Sequence, residues 1–371
     1  MSDPIDPFHL CDDLGPAKVV HISVPAVGLR AIVVIDNVAA GPAIGGTRMA
    51  PDAGLVECAR LARAMTLKNV AAGLAHGGAK SVIIADPKMD AARKERLLRA
   101  FATAIEPLAD YIPGPDMGTD EQAMAFVHDE IGRAAGLPRV LGGIPLDEIG
   151  ATGLGVAVAA AAAREASGVD PAGARVVIEG FGAVGRHAAR FLADEGAHVV
   201  AVADSRGAVA DENGLDLDRL EAIKSHGGSV TELSGARVIA GADLVAVPCD
   251  IWIPAARPDV IDAGNVDRLQ CRLVLQGANI PVTRAAEARL HERGIVSVPD
   301  FIANAGGVIC AAVELARGSQ DDARAAIREK VAHNTAEVLA RAAREGVMPR
   351  EAGEAIAHER LAEAMRARRW H

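Results

Sequence analysis

RVVIEGFGAVGRHAARFLADEGAHVVAVAD (residues 175–204) holds, in order, a β-branched run, a glycine-rich turn, an amphipathic run and a second apolar run ending in an acid. Gly180-Phe181-Gly182-Ala183-Val184-Gly185 fits the spacing GxGxxG. Such a pattern is weak alone. Between a strand over 175–179 and a helix over 186–194, it becomes the first βα turn of a dinucleotide-binding unit. Gly180 permits the tight turn, Gly182 lets the backbone approach a pyrophosphate, and Gly185 lets the helix press on the sheet. The pyrophosphate is expected at the helix N-terminus, where unpaired N–H groups and the helix dipole favour an anion. Asp204 ends the second strand, 19 residues after Gly185, and is placed to accept hydrogen bonds from the adenosine ribose. Its charge disfavours a 2′-phosphate, so NAD is expected ahead of NADP; Arg206 beside it makes that preference modest.

Downstream, 216–226 reads as a helix, and short apolar runs follow in ADLVAVP, RLVLQGAN and IVSVPD. Strands alternating with helices imply a right-handed parallel sheet. From 304 onward the chain reads as helical. Upstream, Val19–Val24 and Leu29–Val34 read as strands joined by a turn with Pro25 and Gly28. AAGPAIGGTRMAP (39–51) reads as a Gly/Pro stretch, 54–71 as a helix, AGLAHGGAK (72–80) as a glycine-rich loop and SVIIAD (81–86) as a strand. Helices are expected over 90–110, 120–135 and 152–167. LGGIPLDEIG (141–150) marks a boundary. The expected fold class is α/β: a substrate and oligomerisation domain over 1–145, a doubly wound Rossmann-type dinucleotide domain over 146–339, and a cleft between them. A C-terminal helix from about 340 to 371 is expected to pack back on the first domain.

The 371 residues carry a formal net charge of −10, which argues against nucleic acid or an anionic membrane as partner. Aromatics are only 2%, so the core must be aliphatic. The five cysteines (Cys11, Cys58, Cys249, Cys271, Cys310) form no CxxC pair, which disfavours a disulfide framework or a cysteine zinc site. The histidines show no metal-ligand spacing. The start, MSDPIDPFHL, shows no basic, apolar leader, and a cytoplasmic location is expected. Open strand edges lead us to expect a homo-oligomer.

Lys68 and Lys80 lie near glycine-rich backbone, where a ligand can approach. Asp116 sits in the Pro/Gly frame PGPDMGT (113–119). Oxidising an amino acid needs a cation for the α-carboxylate, a base working near neutral pH and a carboxylate that relays protons. Two neighbouring lysines and an aspartate supply that set, because each ammonium raises the cost of the other's charge and burial adds to it.

IGGTRM (44–49) and RLARAMTLKNVAAGLAHGGAKSVIIADP (60–87) resemble the N-terminal domain of leucine, valine and phenylalanine dehydrogenases. PDMGT, ATGLGV, GFGAVG, LQGAN and PDFIANAGGV are similar to the wider glutamate/leucine/phenylalanine/valine dehydrogenase family. The resemblance implies that Lys68 holds the substrate α-carboxylate, Lys80 activates water, and Asp116 handles protons at the amine. It implies that Thr152 and Asn279 lie near the nicotinamide and its ribose. It places Asn304, Gly306 and Gly307 in a turn beside substrate and cofactor, and Gly45 and Gly46 in a backbone bend against the substrate.

Glutamate dehydrogenases of that family carry a lysine just before the GG pair and a serine seven residues after the NAGG asparagine. Here those positions are Ile44 and Ala311. Burying a carboxylate there without a partner costs on the order of several kcal/mol. Ile44, Gly114, Val308 and Ala311 are therefore expected to line an apolar pocket for a leucine-, valine- or isoleucine-like side chain. SRGAV (205–209), PDFIANAGGV and Gly114-Pro115 resemble glutamate dehydrogenases more closely, so glutamate and phenylalanine stay open as alternatives. Two other readings stay open as well: a non-catalytic dinucleotide-binding regulator, and a 2-hydroxy-acid enzyme, which would want a His–carboxylate pair that the sequence does not offer.

Overall fold

The structure, a computed structural model, describes residue 6 and residues 8–368. Residues 1–5, 7 and 369–371, parts of the N-terminal stretch and C-terminal return named above, lie outside the described residues. The chain divides into two units. One comprises the residues up to Pro145, Ala311–Gln320 and those from Ala357 on; the other comprises Leu146–Cys310 and Asp321–Ile356.

In the first unit, β1 (Lys18–Val24) and β2 (Leu29–Asn37) form an antiparallel hairpin. Its turn closes on Gly28 at φ 72°, a left-handed conformation that glycine adopts without strain. β3 (Ala43–Met49), α1 (Leu55–Ala71), β4 (Gly77–Ile83), α2 (Ala91–Ile105), β5 (Tyr111–Pro115) and α3 (Glu121–Ile131) follow. The sheet order is β1-β2-β4-β3-β5. β4 pairs antiparallel with β2, and β3 pairs parallel with β4 and β5. Asp90 and Asp120 cap α2 and α3, each side chain accepting from the backbone N–H three residues on. Leu29, Val33, Ile35, Ile83, Leu98, Phe101 and Ile105 form a mainly aliphatic core on the α2–α3 face, with the Phe101 ring among them. α1 covers the other face through Cys58 and Ala62 against Ile32, Val34 and Val82.

Two expectations are overturned in this unit. The Gly/Pro stretch 39–51 contains β3, and the loop expected over 72–80 gives way at Gly77 to β4, so Lys80 stands inside a strand. The glycines mark close approach, not turns. A β-carbon on Gly45 would lie 1.7 Å from the Ala79 carbonyl oxygen, and one on Gly78 would lie 1.9 Å from the Thr66 nitrogen of α1.

In the second unit, α4 (Ala151–Ala162) and α5 (Arg164–Ser167) precede β6 (Arg175–Glu179), α6 (Ala183–Asp194), β7 (His198–Asp204), β8 (Gly207–Ala210) and α7 (Leu217–Ser225). Then come β9 (Arg237–Ile239), β10 (Ile251–Pro254), β11 (Leu273–Leu275), α8 (Arg284–Glu292), β12 (Val296–Val298), α9 (Asp300–Ala303), α10 (Gly306–Leu315), α11 (Gln320–Glu345) and α12 (Pro349–Arg366). α10 and α12 run on into residues of the first unit. The sheet order is β12-β11-β10-β6-β7-β8-β9. The first five strands are parallel, while β8 and β9 pair antiparallel, so the sheet is mixed and not wholly parallel as expected. This is the Rossmann-type α/β arrangement: the strand order reverses between β6 and β10, with later strands added on the other side of β6. ADLVAVP, expected as a strand, holds a 3₁₀ helix over Gly241–Ala246, and the strand comes just afterwards at β10. The return to the first unit begins at Ala357 and not near 340, because Arg350 of α12 is buried in an ionic network with Glu287 and Asp300 of the second unit. No helix among the described residues is long and apolar enough to cross a membrane.

Candidate active site

In the first unit, the parallel register sets Gly46 opposite Gly114, with Asp116 just beyond β5. Without a side chain at Gly46, the neighbouring strands' side chains can converge above β3. A β-carbon on Gly46 would lie 2.8 Å from that of Asp116 and 3.2 Å from the Lys80 ammonium. In that space the Lys80 ammonium forms an ion pair with Asp116 Oδ2. Lys80 is buried, at 6% exposure, which is rare for a lysine without a paired charge. Burial pushes the Asp116 carboxyl up. The Lys80 charge and hydrogen bond, the Met117 backbone N–H and the Arg48 charge outweigh that and hold it below the ordinary carboxylate value.

The pair rests on a second layer. The Asp116 backbone N–H donates to Thr119 Oγ1 (2.9 Å), and that hydroxyl donates to the Thr47 carbonyl (2.7 Å). Buried Tyr111 donates to the Gly45 carbonyl at 3.2 Å and meets Ser81 Oγ at 2.8 Å, while Ser81 donates to Thr47 Oγ1 at 3.0 Å. These bonds fix the backbone of the glycine pair. Lys68 is half-buried in α1, the helix covering the sheet face to which β4 directs Lys80. Ile44 is buried at 5% exposure and pairs with Ile112. Gly114 is buried beside Ala135, and Ala311 is half-buried in α10. One turn along α10, the buried Glu314 carboxylate accepts from the N–H groups of Gly136 (2.7 Å), Leu137 (3.1 Å) and Ile144 (2.8 Å), which pins the loop after α3.

In the second unit, Gly180 has φ 101°, and a β-carbon there would lie 2.6 Å from the Ala256 nitrogen. One on Gly185 would lie 1.9 Å from the Gly180 carbonyl oxygen, whereas one on Gly182 meets nothing within 4 Å. Open space at the middle glycine and crowding at the outer two is the pattern expected for a phosphate cradle. α6 starts at Ala183 with no side-chain cap, so helix geometry leaves the first-turn N–H groups of Ala183, Val184 and Gly185 without intrahelical partners. Phe181 differs: its ring is buried, and its N–H is spent on the Ala203 carbonyl at 2.8 Å.

Asp204 has its carboxylate engaged within the chain. It accepts from Lys224 Nζ (2.8 Å), Ser229 Oγ (3.0 Å) and the backbone N–H groups of Arg206 (2.9 Å) and Val230 (3.0 Å). Burial raises this carboxyl, but those donors outweigh burial and hold it at about 2.

The start of α4 meets the NAGG turn. A β-carbon on Gly306 would lie 1.9 Å from the Ala151 carbonyl oxygen, and one on Gly307 would lie 3.2 Å from Thr152 Oγ1. Buried Asn304 donates to the Ala278 carbonyl (3.1 Å) and to Oδ1 of exposed Asn279 (3.2 Å). Val308 is half-buried two residues beyond the start of α10.

Sequence reasoning missed Arg48, Thr119, Glu314 and Arg350. Arg350 donates to both Glu287 oxygens (2.8 and 2.7 Å), to Gln276 Oε1 (2.9 Å) and to Asp300 Oδ1 (2.8 Å). Asp300 Oδ2 in turn accepts from the Ile280 N–H at 2.9 Å, beside Asn279. Arg48 had a signal: once 43–49 is read as a strand, it shares a face with Gly46. The described residues hold no group of three or more His, Cys, Asp or Glu arranged for a metal ion.

Residues 16–133 match the family model "Glu/Leu/Phe/Val dehydrogenase, dimerisation domain", and residues 142–369 match "Glutamate/Leucine/Phenylalanine/Valine dehydrogenase". The chain is 36% identical to the NADP(+)-dependent glutamate dehydrogenase of Pyrobaculum calidifontis, over 96% of this chain and 92% of that protein. It is 36% identical to the NAD-specific glutamate dehydrogenase of Staphylococcus aureus, over 90% of this chain and 85% of that protein. Among solved structures, the hetero-hexameric glutamate dehydrogenase of Thermus thermophilus in its Leu-bound form superposes with a TM-score of 0.84 at 32% identity, covering 96% of this chain and 91% of that one.

Proposed function

Because the chain belongs to the Glu/Leu/Phe/Val dehydrogenase family and is an NAD(P)-dependent amino-acid dehydrogenase, we propose that Lys80 and Asp116 are the proton-handling pair of a reversible oxidative deamination of an L-amino acid to its 2-oxo acid and ammonia. The observation that carries this reading is the buried Lys80–Asp116 ion pair in the space that Gly46 leaves open.

A bound nicotinamide would supply the acceptor for the hydride that leaves the substrate Cα. The turn over 180–185 and the N-terminus of α6 would hold its pyrophosphate, and Thr152, Asn279 and Asn304 would hold its nicotinamide end. Lys68 neutralises the substrate α-carboxylate. After hydride loss the substrate is an iminium. Lys80, in its neutral form, takes a proton from water as the oxygen adds to that carbon. Asp116 passes a proton to the nitrogen, ammonia leaves as the C–N bond breaks, and the hydroxyl proton returns to the pair as the carbonyl forms. Gly45 and Gly46 let the substrate approach both groups at the short distances such transfers need.

For the side chain, the relatives favour glutamate over the leucine-, valine- or isoleucine-like substrate expected from the sequence, since those three relatives are named glutamate dehydrogenases. One observation favours an aliphatic side chain as a second reading: Ile44 and Ala311 offer a side-chain carboxylate no donor. Either NADH or NADPH serves, because Lys224 already compensates the Asp204 charge and Arg206 adjoins it. The dimerisation domain over 16–133 and the hetero-hexameric relative support an oligomer. The deciding experiment is oxidation of NADH and of NADPH with ammonia and 2-oxoglutarate, 2-oxoisocaproate, 2-oxoisovalerate or phenylpyruvate. Dominant turnover of 2-oxoglutarate supports glutamate, and dominant turnover of a branched 2-oxo acid supports the aliphatic reading. A rate that does not depend on ammonia with any of them overturns the deaminating reaction.

A further inference from the structure

Arg48 stands two residues after Gly46 on β3, on the same strand face as the open space over the glycine pair. Its Nε lies 3.4 Å from Asp116 Oδ2, the oxygen that pairs with Lys80. That Nε is buried and makes no hydrogen bond among the described residues, so the attraction is electrostatic. The other end of the guanidinium forms an ion pair with Glu57, in the first turn of α1. Four charges thus run in alternation: Lys80, Asp116, Arg48, Glu57. The inner three are largely shielded from water, while the Glu57 side chain is 44% exposed.

We propose that Arg48 is a positioning residue of the Lys80–Asp116 pair, dividing the Asp116 charge between two cations and so setting the pH at which the pair releases its proton. This rests on the assignment of that pair as the proton-handling group. Asp116 facing Lys80 alone holds an ammonium proton tightly, which opposes base catalysis. A second cation on the same carboxylate oxygen weakens that hold and adds a second anchor for the carboxylate. Glu57 moderates the effect by drawing part of the Arg48 charge outward. Two tightly coupled groups titrate as a unit, so the pH at which turnover rises belongs to the pair.

Other ionisable groups on the surrounding elements do not reproduce this. Cys58 of α1 is pushed up to about 12 by burial, and the buried Tyr111 phenol of β5 is raised as well, so both stay neutral in the working range. Asp36 of β2 is held by Arg63 of α1 at 3.0 and 2.9 Å. Lys68 of α1 is common to every variant below.

The test is the pH profile of kcat for oxidation, using the amino acid that the substrate panel selects, in the full-length wild type, Arg48→Gln, Arg48→Lys, Glu57→Gln and Lys80→Ala. Arg48→Gln should move the rising limb to higher pH by about one unit or more, the scale of a like charge a few ångströms away. Arg48→Lys should restore most of that shift. Glu57→Gln, at a surface position, should move the limb the opposite way, to lower pH. A purely structural role for Arg48 would lower kcat or Tm and leave the limb in place. Shifts of Arg48→Gln and Glu57→Gln in the same direction, or none in either, overturn the proposal while Lys80→Ala is inactive. If Arg48→Gln does not fold, the direction given by Glu57→Gln decides alone. Wild-type turnover by Lys80→Ala instead overturns the assignment of the pair itself.

Discussion

Gly46 and Asp116 are so close that a β-carbon on the glycine would fall 2.8 Å from the aspartate's own. The same added carbon would fall 3.0 Å from the Pro115 carbonyl oxygen and 3.2 Å from the Lys80 ammonium. Gly46→Ala must therefore displace the ion pair. Overpacking of this kind costs about 1–3 kcal/mol of stability. A displacement of about 1 Å costs roughly 100-fold in rate. The variant is expected to fold with a lowered Tm and to lose about two orders of magnitude in kcat, as read by thermal unfolding and steady-state kinetics.

Asp116→Asn keeps the shape of the side chain and removes its charge. It leaves Lys80 buried without its Asp116 counter-ion and, on the proposed mechanism, breaks the proton path to the nitrogen. A fall in kcat of about 10²–10⁴ is expected, the size of a lost acid–base group. The dissociation constant for the dinucleotide, measured by fluorescence titration, should stay near wild type. Because Asp116 is held below the ordinary carboxylate value, its own protonation should switch the enzyme off only at a pH below that ordinary range.

Asp204 and Lys224 make a separate prediction about the cofactor. Lys224→Ala removes the ammonium 2.8 Å from the carboxylate, and the uncompensated charge then repels a 2′-phosphate. The ratio of kcat/KM for NADPH to that for NADH should fall by about tenfold or more. An unchanged ratio would place the adenosine ribose elsewhere. The same cage shapes acid stability. Asp204 titrates at about 2 against an ordinary 3.8, so its contribution is complete above the ordinary value and is lost as pH falls toward 2. Asp204→Asn should lower stability at neutral pH and flatten acid unfolding across that window, as followed by circular dichroism.

Arg350 ties α12 to Glu287, Gln276 and Asp300. Arg350→Met leaves two carboxylates buried without their cation. Breaking such a network from one side costs about 3–5 kcal/mol. Denaturant unfolding should show that loss, and replacing Glu287 and Asp300 by neutral residues in the same chain should recover part of it.

The glycine turn and its flanking strand and helix are legible in the sequence because the pattern that marks them lies within 175–204 and acts locally. Asp204 is legible as a position but not as an environment: Lys224 and Ser229, which surround it, lie 20 and 25 residues further on. Lys80 stands out as a residue near missing side chains, yet its strand reads as a loop. Glycine in a sequence signals either a turn or a close approach, and only the packing of Gly78 on Thr66 decides between them. The supports are hidden for a different reason. Glu314 holds Gly136 across 178 positions, and Arg350 reaches Glu287 across 63. No periodicity or local motif encodes such pairings.

Lys80→Ala tests the central claim most directly. It removes the buried ammonium and leaves the glycine turn of the second unit untouched. Turnover of the best 2-oxo acid with ammonia should fall by about 10³-fold or more, while the dissociation constant for the dinucleotide stays within about twofold of wild type. Turnover at or near the wild-type rate would contradict the assignment of Lys80 and Asp116 as the groups that move protons at the substrate.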